Sequence, residues 1–165
     1  MLFEEEAVIV TKIVENLADL PGDVVTDLKV DYVVFDNEER LKRVQRARTQ
    51  GGEEIALRFP TDFRELSAGD VLYRDDERVI AAKIAPVDVL IIKPRTIREM
   101  GTVAHTLGNR HLQAQFFADD HGFEGAVMVV RYDHTVEHTL EHLGVPFERA
   151  EREMPAAFRH AEHSH

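Results

Sequence analysis

Apolar and polar positions follow two different patterns along this chain. Before Pro94, short runs rich in valine and isoleucine alternate with turn residues, which predicts strands rather than helices. The spacing of these runs is typical of a small antiparallel barrel or sandwich. The predicted strands are Ala7–Val14, Val24–Phe35, Glu54–Phe59, Val71–Tyr73, Val79–Ile84 and Val87–Ile92.

After Pro94 the apolar positions recur at helical spacing. Thr96 and Glu99 form a T-x-x-E capping box that predicts a helix start, and Gly108 predicts its end. A second helix is predicted from Asp133 to Gly144. The predicted strands around these helices are 89–93, Leu112–Phe117, Ala126–Tyr132 and Val145–Ala150.

The two patterns together predict an α+β protein of two domains. A small all-β domain is expected over residues 1–85, followed by a ferredoxin-like βαββαβ domain over residues 86–150. Residues 151–165 are predicted to form a flexible tail that carries histidines, because the last eight residues have little apolar content.

The net charge of the chain limits the classes of partner that it can bind. Asp and Glu outnumber Lys and Arg by 31 to 20, which gives a net charge of −11. Nucleic acid and anionic membrane surfaces are therefore disfavoured as partners. The acidic start is unlike a signal peptide, and no apolar stretch approaches ~20 residues, so a cytoplasmic protein is expected.

Residue usage also excludes several kinds of chemistry. The chain has no cysteine, which removes disulfides and thiolate chemistry. Its two serines, Ser67 and Ser164, do not lie in a nucleophile motif. By contrast, all nine histidines lie at or after His105. Because histidine changes its charge near pH ~6.5, partner choice is expected to depend on pH.

Histidines are densest on the second predicted helix. His134, His138 and His142 lie four residues apart and opposite the apolar stripe, so they are expected on the solvated face. Imidazoles at this spacing can share one metal ion, but they can equally be plain surface residues. The helix also matches H-x-x-E-H, the inverted zinc-peptidase motif, which leaves a zinc peptidase using His138, Glu141 and His142 as an alternative.

Other histidines lie near loops. His111 follows the first helix, and His105 lies on its polar edge, so either can be a metal ligand or an ordinary hydrogen-bonded residue. His160, His163 and His165 form H-x-x-H-x-H near the chain end, a pattern able to wrap Ni(II), Cu(II) or Zn(II).

Nine histidines without a thiol favour moderate affinity for divalent metals. Such ligands suit carriage and transfer better than permanent binding. We find no catalytic constellation, so a protein that is not an enzyme is expected.

A third hypothesis is an RNA- or ribosome-associated adaptor. It rests on one basic string, which is interpreted more simply as a solvated hairpin face. The string consists of Arg40, Lys42, Arg43, Arg46 and Arg48.

Several stretches resemble the urease accessory nickel metallochaperones, the UreE family. Residues 104–112, A-H-T-L-G-N-R-H-L, are similar to its L-G-N-R-H signature, which is the most specific match. Three weaker matches lie elsewhere in the chain, and all four stretches occur in the same order as in the family. They are Arg46–Thr49 with Gly51, Leu66–Leu72, and Pro155–Phe158 with the histidines beyond it.

The resemblance implies an N-terminal β domain that docks partners and a ferredoxin-like metal-binding domain. It implies a homodimer in which His111 of each subunit shares one nickel ion, completed or supplied by the C-terminal histidines. It further implies delivery of nickel to the urease maturation GTPase and the urease apoprotein.

The chain also departs from its relatives. Three tail histidines replace the long polyhistidine tail of some members, so bulk nickel storage is not implied. Thr106 stands where some relatives have a histidine, and His105 lies one residue earlier. His134 and His138 lie near the place where some relatives hold an auxiliary metal.

Overall fold

The computed structural model describes residues 7–160, which divide into two compact units. Unit 1 comprises the chain up to Ala85 together with Pro155–Ala157. Unit 2 comprises Pro86–Met154 and the chain from Phe158 onward. None of the helices in the described part is long and apolar enough to cross a membrane.

The described part of unit 1 is rich in strands and has one short α-helix and two 3₁₀ helices, Leu17–Asp19 and Glu39–Leu41. Its elements are β1 (Val8–Val10), β2 (Glu15–Asn16), α1 (Gly22–Asp27), β3 (Lys29–Phe35), β4 (Val44–Arg48), β5 (Glu54–Arg58), β6 (Asp70–Arg74) and β7 (Arg78–Ile84). They form a sheet of order β1-β5-β4 and a second sheet of order β2-β6-β7-β3. Buried side chains of both sheets share one apolar cluster, among them Phe35, Leu57 and Ile80, so unit 1 is a sandwich.

The predicted antiparallel arrangement is wrong for two strand pairs of unit 1. β1 runs parallel to β5, and β3 runs parallel to β7. Each parallel pair joins strands that are far apart in sequence. Local turn residues, which were the basis of the prediction, therefore carry no information about it.

The predicted strand Val24–Phe35 is wrong in its first part. Residues 22–27 form α1, in which the N–H groups of Val24 and Val25 donate to the carbonyl oxygen of Pro21. A proline before the first turn and Asp23 within it favour a helix start and outweigh the strand preference of the two valines.

One member of the basic string departs from its predicted solvated face. Arg40 is only 1% exposed, and its Nε donates to the carbonyl oxygen of Leu66 at 3.0 Å. Glu65 lies 3.6 Å from its guanidinium and accepts a bond from the N–H of Ala157. The side chain therefore stabilises unit 1 from within.

Unit 2 has the predicted βαββαβ order. Its elements are β8 (Val87–Ile92), α2 (Ile97–Gly108), β9 (Ala114–Ala118), β10 (Ala126–Arg131), α3 (His134–Leu143) and β11 (Phe147–Arg152). The sheet order is β11-β8-β10-β9, with every neighbouring pair antiparallel. The α+β fold class is thus confirmed.

Both faces of this sheet are covered. On one face, α2 and α3 contribute Val103, Leu107, Val136 and Leu140 to the core. On the other, Met154 and Phe158 pack with residues of β8 and β10. The flexible tail predicted from residue 151 is therefore wrong for its first part: β11 continues to Arg152, and Phe158 is 1% exposed.

Candidate functional site

The site is built around the end of α2. The helix begins as the sequence predicts, with the Thr96 hydroxyl accepting from the Glu99 N–H at 3.0 Å. The Glu99 carboxylate, however, accepts from the N–H and guanidinium of Arg95 instead of returning a bond to Thr96. Leu107 is fully buried and fixes the last turn against the sheet.

The residues after Leu107 each have a distinct contact. Gly108 is the last helical residue, and the Asn109 N–H caps the helix by donating to the carbonyl oxygen of His105 at 3.0 Å. The Asn109 amide nitrogen also lies 3.4 Å from Nε2 of His105. Asn109 is thus a polar neighbour of the His105 ring.

His111 is held in an unusual backbone conformation. Its φ is +57°, in the left-handed region that favours glycine, and its N–H donates to the carbonyl oxygen of Gly108 at 3.0 Å. The side chain is exposed. Strained residues of this kind cluster at functional sites. Asp119 and His121 have positive φ as well, so the conformation of His111 counts only together with its surroundings.

Arg110 fastens this turn to α3. Its guanidinium donates to the Thr135 hydroxyl at 2.7 Å and, more weakly, to the Thr139 hydroxyl at 3.4 Å. Thr135 in turn donates to Asp133, the N-cap of α3. The backbone on the N-terminal side of His111 is therefore fixed through a chain of three side chains.

The opposite ends of the two helices are joined as well. Arg95, just before α2, donates to the carbonyl oxygen of Gly144 at the end of α3 at 3.1 Å. The helices therefore run antiparallel and are tied at both ends, which gives the His111 turn a rigid support.

His111 opens into a cleft that it shares with a second histidine. The cleft has a volume of about 310 Å³ and is lined by residues that include His111, Gln113, Tyr132, Asp133 and His160. His160 follows Phe158 by two residues, and the Phe158 ring is buried with the Arg131 guanidinium 5.8 Å from its centroid. A buried anchor therefore brings a residue of the predicted tail into the cleft.

The cleft also carries a carboxylate. The Thr135 hydroxyl, and then its backbone N–H, donate to Asp133 and hold the pKa of that carboxyl below its ordinary value. Asp133 therefore stays negatively charged at lower pH, which favours a cation in the cleft.

The histidines of α3 are arranged differently. His134, His138 and His142 are all exposed, on the side of the helix opposite the buried Val136 and Leu140, as predicted. The carboxylate of Glu141 lies 3.8 Å from Nδ1 of His138. Within residues 7–160, no three histidine, aspartate or glutamate side chains converge in a group able to hold a metal ion.

Of the predicted metal ligands, the structure brings His111 and His160 to one cleft. His105 is exposed and faces Asn109, while His134 and His138 lie along α3. His163 and His165 lie outside the described residues. Sequence reasoning missed Asp133 as a cleft residue and Arg110 as a brace, since no local pattern pairs Arg110 with a threonine 25 positions away.

Comparison with known proteins covers both units. Residues 10–85 match the family model described as UreE urease accessory protein, N-terminal domain, and residues 87–165 match its C-terminal counterpart. The chain is 50% identical over 160 residues to the urease accessory protein UreE of Pseudarthrobacter chlorophenolicus, covering 95% of this chain and 99% of the relative.

Two further relatives of the same name give a similar picture. The protein of Corynebacterium urealyticum is 48% identical over 157 residues, and that of Actinomyces naeslundii is 48% identical over 162 residues. Each alignment covers 95% of this chain and 99% of the relative. The chain belongs to the UreE urease accessory protein family.

Proposed function

We propose that this protein is a nickel-binding metallochaperone that supplies Ni(II) for assembly of the urease active site and is not itself an enzyme. The observation that carries the proposal is His111: an exposed imidazole held in a left-handed backbone conformation, beside a cleft that also contains His160 and Asp133. Imidazole and carboxylate ligands suit Ni(II), and also Zn(II) or Cu(II).

The described part of one chain, residues 7–160, offers too few converging ligands. Two histidines and one carboxylate line the cleft, and the described residues contain no ready group of three. A two-fold axis near His111 would double every ligand, because an isologous interface places the same residue of both copies together. We therefore infer a homodimer that shares one nickel ion between two His111 side chains.

Incomplete, exposed ligation also suits transfer. A site made of imidazoles binds divalent metal with moderate affinity and can exchange ligands with an acceptor. His160, and beyond it His163 and His165, would complete the site or feed it. The acceptors would be the urease maturation GTPase and the urease apoprotein in the cytoplasm, with the β-rich unit 1 as the docking module.

Native mass measured with and without Ni(II) tests the site. We expect two chains and one tightly bound nickel ion per dimer. A variant that ends at Arg159 should bind less nickel in total and remain dimeric. A monomer, or one tight ion per chain, would contradict the shared site.

Delivery needs a functional readout. Nickel-loaded protein should activate urease apoprotein in the presence of the maturation GTPase when free nickel is chelated. The His111→Ala variant should not. Equal activation by the variant and the parent would refute the delivery role.

A further inference from the structure

A short stretch near the chain end belongs to unit 1, although its neighbours on both sides belong to unit 2. It consists of Pro155–Ala157, and we call it the returning segment. The residues that flank it, Met154 and Phe158, are buried in an apolar cluster of unit 2. His160, two residues beyond Phe158, lines the cleft that also contains His111. The returning segment therefore immediately precedes the part of the chain that carries a cleft residue.

Two charged side chains of unit 1 hold the returning segment. The backbone N–H of Ala157 donates to the Glu65 carboxylate at 2.8 Å. Nη2 of Arg40 donates to the carbonyl oxygen of Pro155 in a longer bond of 3.4 Å. The same nitrogen lies 3.6 Å from the Glu65 oxygen that accepts from Ala157. We call these two side chains the Arg40–Glu65 pair.

The core of unit 1 holds this pair in place. The N–H of Leu66 donates to the carbonyl oxygen of Arg40 at 2.9 Å, and Nε of Arg40 donates to the carbonyl oxygen of Leu66 at 3.0 Å. Leu66 is fully buried in the apolar cluster of unit 1. Glu65 directly precedes Leu66, so both members of the pair have a fixed origin.

A buried charge at Arg40 is not needed for packing. Burying a guanidinium costs free energy that only well-placed partners offset, and apolar residues of similar volume often stabilise a core at least as well. What the guanidinium adds is a rigid set of donors that can hold several acceptors at once. Its acceptors include Leu66 and Pro155, which indicates that Arg40 orients the backbone at both places.

The returning segment matters for His160 because two fixed points set the direction of a chain. The buried ring of Phe158 is one such point, and the chain beyond it could still turn about that ring. The backbone of His160 lies at most about 7 Å from that of Phe158. Fixing the N–H of Ala157, one residue before Phe158, defines the path by which the chain leaves the buried ring. The imidazole of His160 is thereby confined to one side of it.

We propose that Arg40 and Glu65 are positioning residues for the metal cleft: by fixing the returning segment, they place His160 beside His111. This inference rests on the proposed function, because it assigns His160 a share in nickel binding. One measurement without metal and one with Ni(II) therefore test its two parts separately.

The mobility of residue 160 can be measured without metal. The chain has no cysteine, so a spin label on the His160→Cys variant is attached at one place. We expect Glu65→Ala to increase the mobility of this label in the electron paramagnetic resonance spectrum, because Ala157 loses its acceptor. A label on His142→Cys, at an exposed position of α3, is the control and should not respond to Glu65→Ala.

Calorimetric titration with Ni(II) measures the effect on binding. Glu65→Ala should weaken nickel binding about tenfold, and by no more than His160→Ala does, because the pair acts through that imidazole. Glu65→Gln keeps an oxygen that can accept from Ala157 and should retain most of the affinity. Asp62→Ala removes an exposed carboxylate three positions earlier and is the control for charge, with an expected change of less than about twofold.

A combined variant separates positioning from a general loss of structure. When His160→Ala is already present, Glu65→Ala should cause no further loss of nickel affinity. Arg40→Met repeats this test from the other member of the pair. Thermal unfolding checks that each variant is folded, and Glu65, which is 20% exposed, gives the test that does not disturb a fully buried position.

Three results would overturn the proposal. The label at residue 160 is as immobile in Glu65→Ala as in the parent. Glu65→Ala and Glu65→Gln weaken nickel binding equally, which would indicate an effect of charge alone. Glu65→Ala weakens binding as much in the His160→Ala background as in the parent. A parent protein that binds no nickel would instead refute the proposed function, and the label at residue 160 would still decide whether the pair positions that residue.

Discussion

The two helices of unit 2 end in different ways. α3 ends at Gly144, which takes a left-handed φ of +68° without steric cost. After α2, the residue in the same conformation is His111, with φ of +57°. A side chain in that region costs roughly 1–2 kcal/mol. The end of α2 therefore accepts a loss of stability that the end of α3 avoids. Asp119 and His121 also have positive φ, and His111 differs from them in lining the cleft that contains His160.

The two helix regions also differ in how many histidines they carry and in how those histidines are placed. α3 carries three histidines at regular helical spacing, and each points to solvent. The turn after α2 carries one, but it is braced by Arg110 and shares a cleft with His160. A metal site needs ligands that converge on one point, so the single braced residue is the stronger candidate.

The largest expected effect comes from removing the His111 imidazole, which tests this comparison directly. His111→Ala should abolish the tight nickel-binding event, because it removes the imidazole around which the shared site is built. The triple change of His134, His138 and His142 to alanine should preserve it. Calorimetric titration with Ni(II) measures both. Tight binding that survives His111→Ala, or disappears only in the triple variant, would move the site to α3.

A smaller loss of nickel affinity is expected when Arg110, which holds the His111 turn against α3, is removed. Arg110→Ala should weaken nickel binding about tenfold, as loss of a supporting residue does at other metal sites. Charge alone predicts the opposite sign, since removing a cation near a cation site should strengthen binding. Nickel titration therefore distinguishes the two effects.

Threonine variants control the brace experiment. Thr135→Val should weaken nickel binding in the same direction, because Thr135 accepts the shorter bond at 2.7 Å. Thr139→Val should have less effect, because its bond is 3.4 Å long. Unchanged affinity in both Arg110→Ala and Thr135→Val would mean that His111 does not need the brace.

The third prediction concerns the residue with positive φ that follows each helix, and changes each one separately. Gly144→Ala should lower the free energy of unfolding by about 1 kcal/mol, because alanine is strained at positive φ. His111→Gly should raise it by up to about 1 kcal/mol relative to His111→Ala, which keeps the strain. Urea unfolding of the metal-free variants gives both values. If His111→Gly is no more stable than His111→Ala, the backbone at His111 is not strained.

Local signals account for what the sequence predicted well. Thr96, Asp133 and Gly144 are cap residues whose effect depends on neighbours within a few positions, and all three occupy the predicted caps. The βαββαβ order followed from these caps and from the strands between them.

Features that depend on distant residues were not predictable in this way. The parallel pairing of β3 with β7 and the bond from Arg110 to Thr135 join positions far apart in sequence. Gly108 was expected to stop α2, yet the left-handed residue lies three positions later at His111. Local preference does not single out this position, because glycine is favoured in that conformation and histidine only tolerates it, as His121 does with φ of +51°.

The smallest expected effect concerns Arg95, which joins the start of α2 to the end of α3. Arg95 bonds both to Glu99 and to the carbonyl oxygen of Gly144. The bonds from Arg95 lower the pKa of Glu99 to about 2. A carboxyl whose pKa is lower in the folded state stabilises the fold above its unfolded pKa, and that contribution is lost as the pH falls towards the folded value.

Between about pH 5 and about pH 2.5, the parent should lose more thermal stability than Glu99→Gln. Glu124→Gln, which changes an exposed carboxyl without an ion-pair partner among the described residues, is the control and should follow the parent. Parallel melting curves for Glu99→Gln and the parent would show that the Arg95–Glu99 pair does not contribute to stability in this pH range.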